Sequence, residues 1–120
     1  MSNTARLISL ADLPVDRPMP LIDRRRIIGD KMMVSEVRLS KGFHVPTHQH
    51  ENEQFVIMLS GHCTFGIGNM NDPAYHELAV RGGQVLVLPS NVPHSCSAHE
   101  DTHILDIFSP PSATTGVDQR

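Results

Sequence analysis

His48 and His50 stand one residue apart, just after a Gly/Pro-containing turn, and Gln54 follows four residues later. On a β-strand, residues i and i+2 point the same way, about 6.6 Å apart. Two imidazoles in that arrangement converge on one ion, and Gln54 shares their parity and reaches the same point if the pairing continues. A further histidine, His94, lies beyond a second apolar run (QVLVL, residues 84–88) and the turn PSNVP. A lone histidine is ordinarily a surface or hydrogen-bonded residue. Four donors at this spacing instead suggest a mononuclear metal site inside a small β-barrel. Histidine is abundant to match: eight in 120 residues, against one tyrosine and no tryptophan.

The elements that must carry these side chains read as short strands. Residues 32–39 alternate well enough for a half-buried strand. Residues 54–60 (QFVIMLS), 62–68, 75–80, 84–88, 94–98 and 103–108 are β-rich runs separated by Gly, Pro, Asn and Asp. Residues 18–21 (PMPL) are expected as an extended entry, because a proline disfavours helix in the residue before it. Residues 26–31 are expected to end a strand in a tight turn. No 3.6-residue periodicity persists anywhere. Many short strands at regular spacing predict an all-β, single-domain barrel or sandwich, and a jelly-roll β-barrel leaves an interior for a ligand. The expected division is an irregular segment over 1–17, a barrel over 18–110 and a flexible tail over 111–120.

Composition narrows the function classes. A net charge of −3 and one basic cluster, Arg24-Arg25-Arg26, argue against nucleic acid. Three basic residues alternating across a strand read as solvated or interfacial. No signal peptide is evident at the start of the sequence, and no apolar stretch approaches the roughly 20 residues that span a bilayer. Two cysteines, Cys63 and Cys96, neither in a CxxC, fit a reduced cytoplasmic protein.

The two histidine-bearing segments resemble the motifs of the cupin superfamily. Gly42, His48, His50 and Gly61 match the first, G-x5-H-x-H-x3,4-E-x6-G, with Gln54 in the place of its glutamate and Glu53 one residue early. Gly83, Pro89 and His94 match the second, with Asn91 in the place of a glycine and Ala98 in the place of the final asparagine. The phrases HxHxxEQ, PSNVPHS and LDIFSPP further resemble small single-domain cupins related to the pectin-degradation protein KdgF. That resemblance implies one divalent transition ion (Zn, Ni, Mn, Fe or Co) held by His48, His50, Gln54 and His94. It also implies chemistry on unsaturated monouronates, and a homodimer built through the N-terminal strand near residues 18–28. The group carries an arginine directly after the two prolines, suited to a substrate carboxylate; here that position is Ser112.

Three imidazoles and a carboxamide add no charge, so a divalent ion there would act as a Lewis acid. Asp106 shares parity with Ile104 and Phe108. It is the candidate proton carrier if that face is inward, and otherwise pairs with an arginine or a backbone amide. Phe108 and Met58 are candidate pocket walls, and Met32, Met33 and Met58 are expected to fill the core. Glu53 should point away from the ion, His44 lies at the barrel mouth or on an exposed loop, and Cys96 shares parity with His94. The reading is a metal-dependent enzyme moving a proton on a small carbonyl or sugar-acid substrate by tautomerisation or isomerisation. An iron-dependent dioxygenase and a non-enzymatic metal- or sugar-binding module are the alternatives.

Overall fold

The computed structural model describes residues 4–118. Among them, nine strands form two antiparallel sheets: β1 (Ile22–Ile28), β2 (Met33–Leu39), β3 (His44–His48), β4 (Glu53–Ser60), β5 (His62–Ile67), β6 (His76–Arg81), β7 (Val85–Leu88), β8 (His94–Ala98) and β9 (Thr102–Ser109). One sheet has the order β1-β2-β9-β4-β7 and the other β3-β8-β5-β6. Two short 3₁₀ turns, Leu10–Asp12 and Gly116–Asp118, flank the strands. The result is the expected all-β jelly roll.

Period-two alternation builds the core. Along β4, Gln54, Val56 and Met58 are buried while Glu53 and Phe55 are exposed. Along β8, His94, Cys96 and Ala98 are buried, with half-buried serines between them. A strand turns successive side chains to opposite faces, so the inward residues of both sheets meet in one cluster that includes Val37, Phe43, Val56, Phe65, Leu88 and Ile104. Among the inward polar residues, Gln54, His94 and Asp106 line one cavity, where the site forms.

Two local expectations change. Residues 18–21 form a turn rather than an extended entry: Leu21 takes a left-handed φ of 70° and its carbonyl accepts a hydrogen bond from Ser40 N–H at 2.9 Å. That bond draws the start of β1 against the end of β2, which an extended approach would not do. Met32 is 55% exposed because it belongs to the β1–β2 turn closed by Gly29 N–H to the Met32 carbonyl; Met33 holds the core position expected of both.

Gly61 joins β4 to β5 with φ 104°, and a Cβ there would stand 2.6 Å from Thr102 Cα and 2.7 Å from Thr102 Cβ on β9. Positive φ and a clash with backbone act together at this position. Gly61→Ala is therefore expected to destabilise the fold by about 2–5 kcal/mol, the sum of backbone strain and overpacking. A urea midpoint unchanged from wild type would contradict this.

Candidate metal centre

His48 ends β3, His94 begins β8 beside it in register, and His50 lies just beyond β3 in the loop to β4. Their ligating nitrogens all fall within 4.8 Å of one another. The ring centroids of His48 and His94 are 4.3 Å apart, those of His50 and His94 5.3 Å, and those of His48 and His50 6.0 Å. The sequence places His48 and His50 on one strand, pointing alike. The structure instead interrupts β3: Pro46 lacks an N–H for the ladder, the register shifts between Val45 and His48, and His50 leaves the strand. A second contact fixes the loop. The His50 carbonyl accepts a hydrogen bond from Asn91 N–H at 2.8 Å. Asn91, in the motif's glycine place, adopts φ 64°, a left-handed conformation that Asn tolerates better than most residues.

Each imidazole is oriented by the same device. Nδ1 of His48 meets the Pro46 carbonyl at 2.7 Å, Nδ1 of His50 the Asn52 carbonyl at 3.1 Å, and Nδ1 of His94 the Val92 carbonyl at 2.9 Å. A carbonyl only accepts, so these bonds assign the proton to Nδ1 and leave the Nε2 lone pair free in all three rings. That is how metal-ligating histidines are ordinarily held. Nε2 of His50 is buried with no hydrogen-bond partner, an orphan that a cation would satisfy. Burial holds His94 neutral, with a pKa down at about 4; the Val92 carbonyl opposes the shift, and His48 and His50 add to it. Burial likewise lowers the pKa of His48. Neutral rings are what an ion requires, so these residues fit the divalent ion.

Gln54 comes from the opposite sheet, on β4, and is 7% exposed. Its Nε2 donates to Asp106 Oδ1 at 3.0 Å. The amide nitrogen is thereby engaged, and Oε1 is left as the atom with lone pairs to offer. Asp106 sits on β9, and its partner is this amide rather than an arginine. Burial pushes its carboxyl up to about 7, against the opposing hydrogen bond from Gln54. His48, Gln54, His94, Asp106 and Phe108 line one cavity of about 70 Å³, with Cys96 also in its wall. Phe108 stands edge-on to His50 at 5.8 Å between centroids. Met58 takes the core place expected of it and not the substrate wall: it is 1% exposed in the hydrophobic cluster and outside the cavity lining. It shares the face of Gln54 but sits four residues along β4, about 13 Å away on an extended strand.

The remaining histidine and glutamate candidates fall outside the site. Glu53 is exposed, as its parity requires. His44 is exposed and its Nδ1 meets Ser97 Oγ at 2.8 Å. His103 meets Glu36 at 2.9 Å, and the tilted rings of half-buried His62 and exposed His99 lie 4.7 Å apart. Cys63 and Cys96 are buried free thiols.

Sequence reading misses a second part of the site. Arg24, expected as solvated or interfacial, is 4% exposed and lines the same cavity. Burial opposes its charge, but hydrogen bonds to Asp16 and Asp118 outweigh that and raise its pKa above the ordinary value. Asp118 belongs to the segment expected as a flexible tail. Residues 111–118 fold back over the barrel: Thr115 and Gly116 are buried, and Thr115, Gly116 and Val117 complete the cavity wall. Gly116 lies so close to His48 that a Cβ there would overlap the imidazole, which only glycine avoids. Ser112 hydrogen-bonds the Thr114 carbonyl at 2.9 Å and is not in the cavity wall.

Known proteins share this architecture. KdgF from Halomonas sp. superposes with a TM-score of 0.80 at 21% identity, covering 92% of this chain and 97% of that one. An RmlC-like cupin from Shewanella frigidimarina gives 0.80 at 15% identity, covering 94% and 97%. Bacillus subtilis oxalate decarboxylase, a protein with Mn(II) centres, gives 0.79 at 19% identity, with this chain spanning 95% of its own length and 32% of that protein's. No curated protein matches the sequence. Among the described residues no helix is long and apolar enough to cross a membrane. The sequence pattern of the Cupin domain matches residues 35–108, more than half of the chain and both histidine segments, and on that match the chain belongs to the cupin family.

Proposed function

We propose that this protein is a metal-dependent enzyme that moves a proton on a small carbonyl or sugar-acid substrate, by tautomerisation or isomerisation, with no net redox change. The observation that carries the reading is the cluster of three histidines, of which His48 and His94 line the same cavity as Asp106 and the Gln54 amide that donates to it. A divalent ion bound by His48, His50, Gln54 and His94 would supply a Lewis acid that polarises a carbonyl or enol oxygen. The residues themselves do the rest. The four donors add no charge of their own. Asp106 lies within the cavity to take a proton from the substrate or return one. Phe108 and Ile104 wall off water, which strengthens every electrostatic contact inside.

The substrate class rests on the sequence resemblance to the KdgF group. Zinc- or nickel-loaded protein should speed the loss of the absorbance of an unsaturated monouronate with no oxygen uptake. Oxygen consumption by iron-loaded protein would replace this reading with a dioxygenase. Inertness in both assays, alongside tight binding of a sugar acid, would replace it with a binding module.

A homodimer completes the proposal. Phe55, Val85 and Val87 are exposed apolar residues on the neighbouring strands β4 and β7, and β1 is a sheet edge that the chain itself bridges at Arg24 through Asp16. Sedimentation should give twice the 13.3 kDa chain mass; a 13.3 kDa species would refute the dimer.

A further inference from the structure

Arg24 is the only arginine or lysine among the described residues lining the cavity. A guanidinium has five N–H donors, and two carboxylates take four of them. Asp16 accepts from Nε at 3.0 Å and Nη2 at 2.8 Å; Asp118 accepts from Nη1 at 2.9 Å and Nη2 at 3.0 Å. The two acids are held differently. Asp16 is tied to Arg24 by a backbone bridge, two hydrogen bonds of 2.9 Å, and has a second cation in Arg26 at 3.4 Å. Asp118 rides on the 3₁₀ turn Gly116–Asp118, part of the strap across the cavity mouth, with Arg24 as its one ion-pair partner among the described residues. The same turn sets Gly116 against His48. A cavity of about 70 Å³ holds only a few waters at roughly 10–15 Å³ each, and small-molecule pockets usually run to about 300–1,000 Å³. A larger occupant needs a wall that gives way, and residues 115–117 are the part of the wall beyond the last strand; moving them uncovers His48 and strips Asp118 from Arg24 in one movement.

We infer that Arg24 is the substrate-binding residue for a carboxylate, and that Asp118 is an internal carboxylate occupying its place until the substrate arrives. With Asp118 gone, Arg24 and Arg26 face Asp16 alone, an excess of one positive charge that an incoming carboxylate neutralises in bidentate geometry. The internal carboxylate competes at the high effective concentration of a tethered group. It therefore selects substrates that can engage both Arg24 and the histidine centre. This deepens the proposed function and rests on it for the location of the reacting oxygen.

The test titrates ¹⁵N-labelled full-length protein, with and without zinc, with glycolate and with glycolamide, its uncharged counterpart. The Arg24 Nε–H resonance reports the site directly. Asp118→Asn keeps the oxygen that accepts from Thr115 N–H at 3.1 Å but removes the charge. It should tighten glycolate binding roughly tenfold, by raising the fraction of protein open to ligand, and leave glycolamide within about twofold. Arg24→Lys, which still faces Asp16 with a charge and so protects the fold, should lose most of the preference for glycolate. Equal glycolate affinity in wild type and Asp118→Asn, or no preference for glycolate over glycolamide in any folded variant, would overturn the inference. Wild-type protein that takes up no zinc, yet shows the glycolate preference and its gain in Asp118→Asn, would sink the metal-centre reading and leave the Arg24 site standing.

Discussion

Replacing His94 with alanine is expected to lower zinc affinity by more than about 100-fold, since loss of an outer partner alone costs about 10–100-fold. His94 is the best-determined of the three rings. It begins β8 opposite His48, its Nδ1 is tied to the Val92 carbonyl at 2.9 Å, and it is 4% exposed. Its Nε2 therefore has one direction to point. The variant should fold, because the imidazole belongs to the cavity wall and not to the apolar cluster that joins the sheets. His44→Ala is the matched control: His44 is exposed and engaged with Ser97, so its loss should leave affinity within about twofold, the range of an ordinary surface change. Competition against a chromogenic chelator, with far-UV circular dichroism to confirm the β-fold, measures both. Wild-type zinc affinity in folded His94→Ala would remove the centre from this protein.

Asp106→Asn should reduce turnover of the unsaturated monouronate by about 10²–10⁴-fold, the usual worth of a positioned acid or base, while zinc binding stays near wild type. The separation follows from the geometry. Asparagine keeps an oxygen where Asp106 Oδ1 accepts from Gln54 Nε2 at 3.0 Å, so the carboxamide keeps its orientation; only the capacity to take up and release a proton disappears. Zinc affinity falling in step with turnover would mark Asp106 as a positioning residue acting through Gln54. Unaltered turnover would exclude it from proton transfer.

Much of this protein was legible without coordinates, and the reason is locality. Alternation along 54–60 and 94–98 is a property of neighbouring residues, and a strand converts it directly into a buried and an exposed face. It gave the all-β class, the inward parity of Gln54 and His94, and the exposure of Glu53. The histidine spacing, with its glycines and prolines, located the centre. Parity alone does not bring these side chains together. His48, His50 and Gln54 do not share one strand: His50 leaves β3 after the register shift, and Gln54 approaches from the opposite sheet. Met58 had the right parity but lies too far along β4. Parity says which face a residue takes, not how far along the barrel it sits.

The sequence by itself determined most of the strands, the core faces and the three histidines that cluster. Only the tertiary structure decided that Arg24 turns into the cavity and that residues 111–118 close over it. Those residues, PSATTGVD, are small and polar, with no apolar period to announce an inward face. Their place is set instead by a carboxylate meeting a guanidinium 94 positions away in the chain and by a glycine thin enough to lie against His48. Charge pairing and close approach between distant segments leave no local pattern, because each exists only once the barrel has brought both partners to the same mouth.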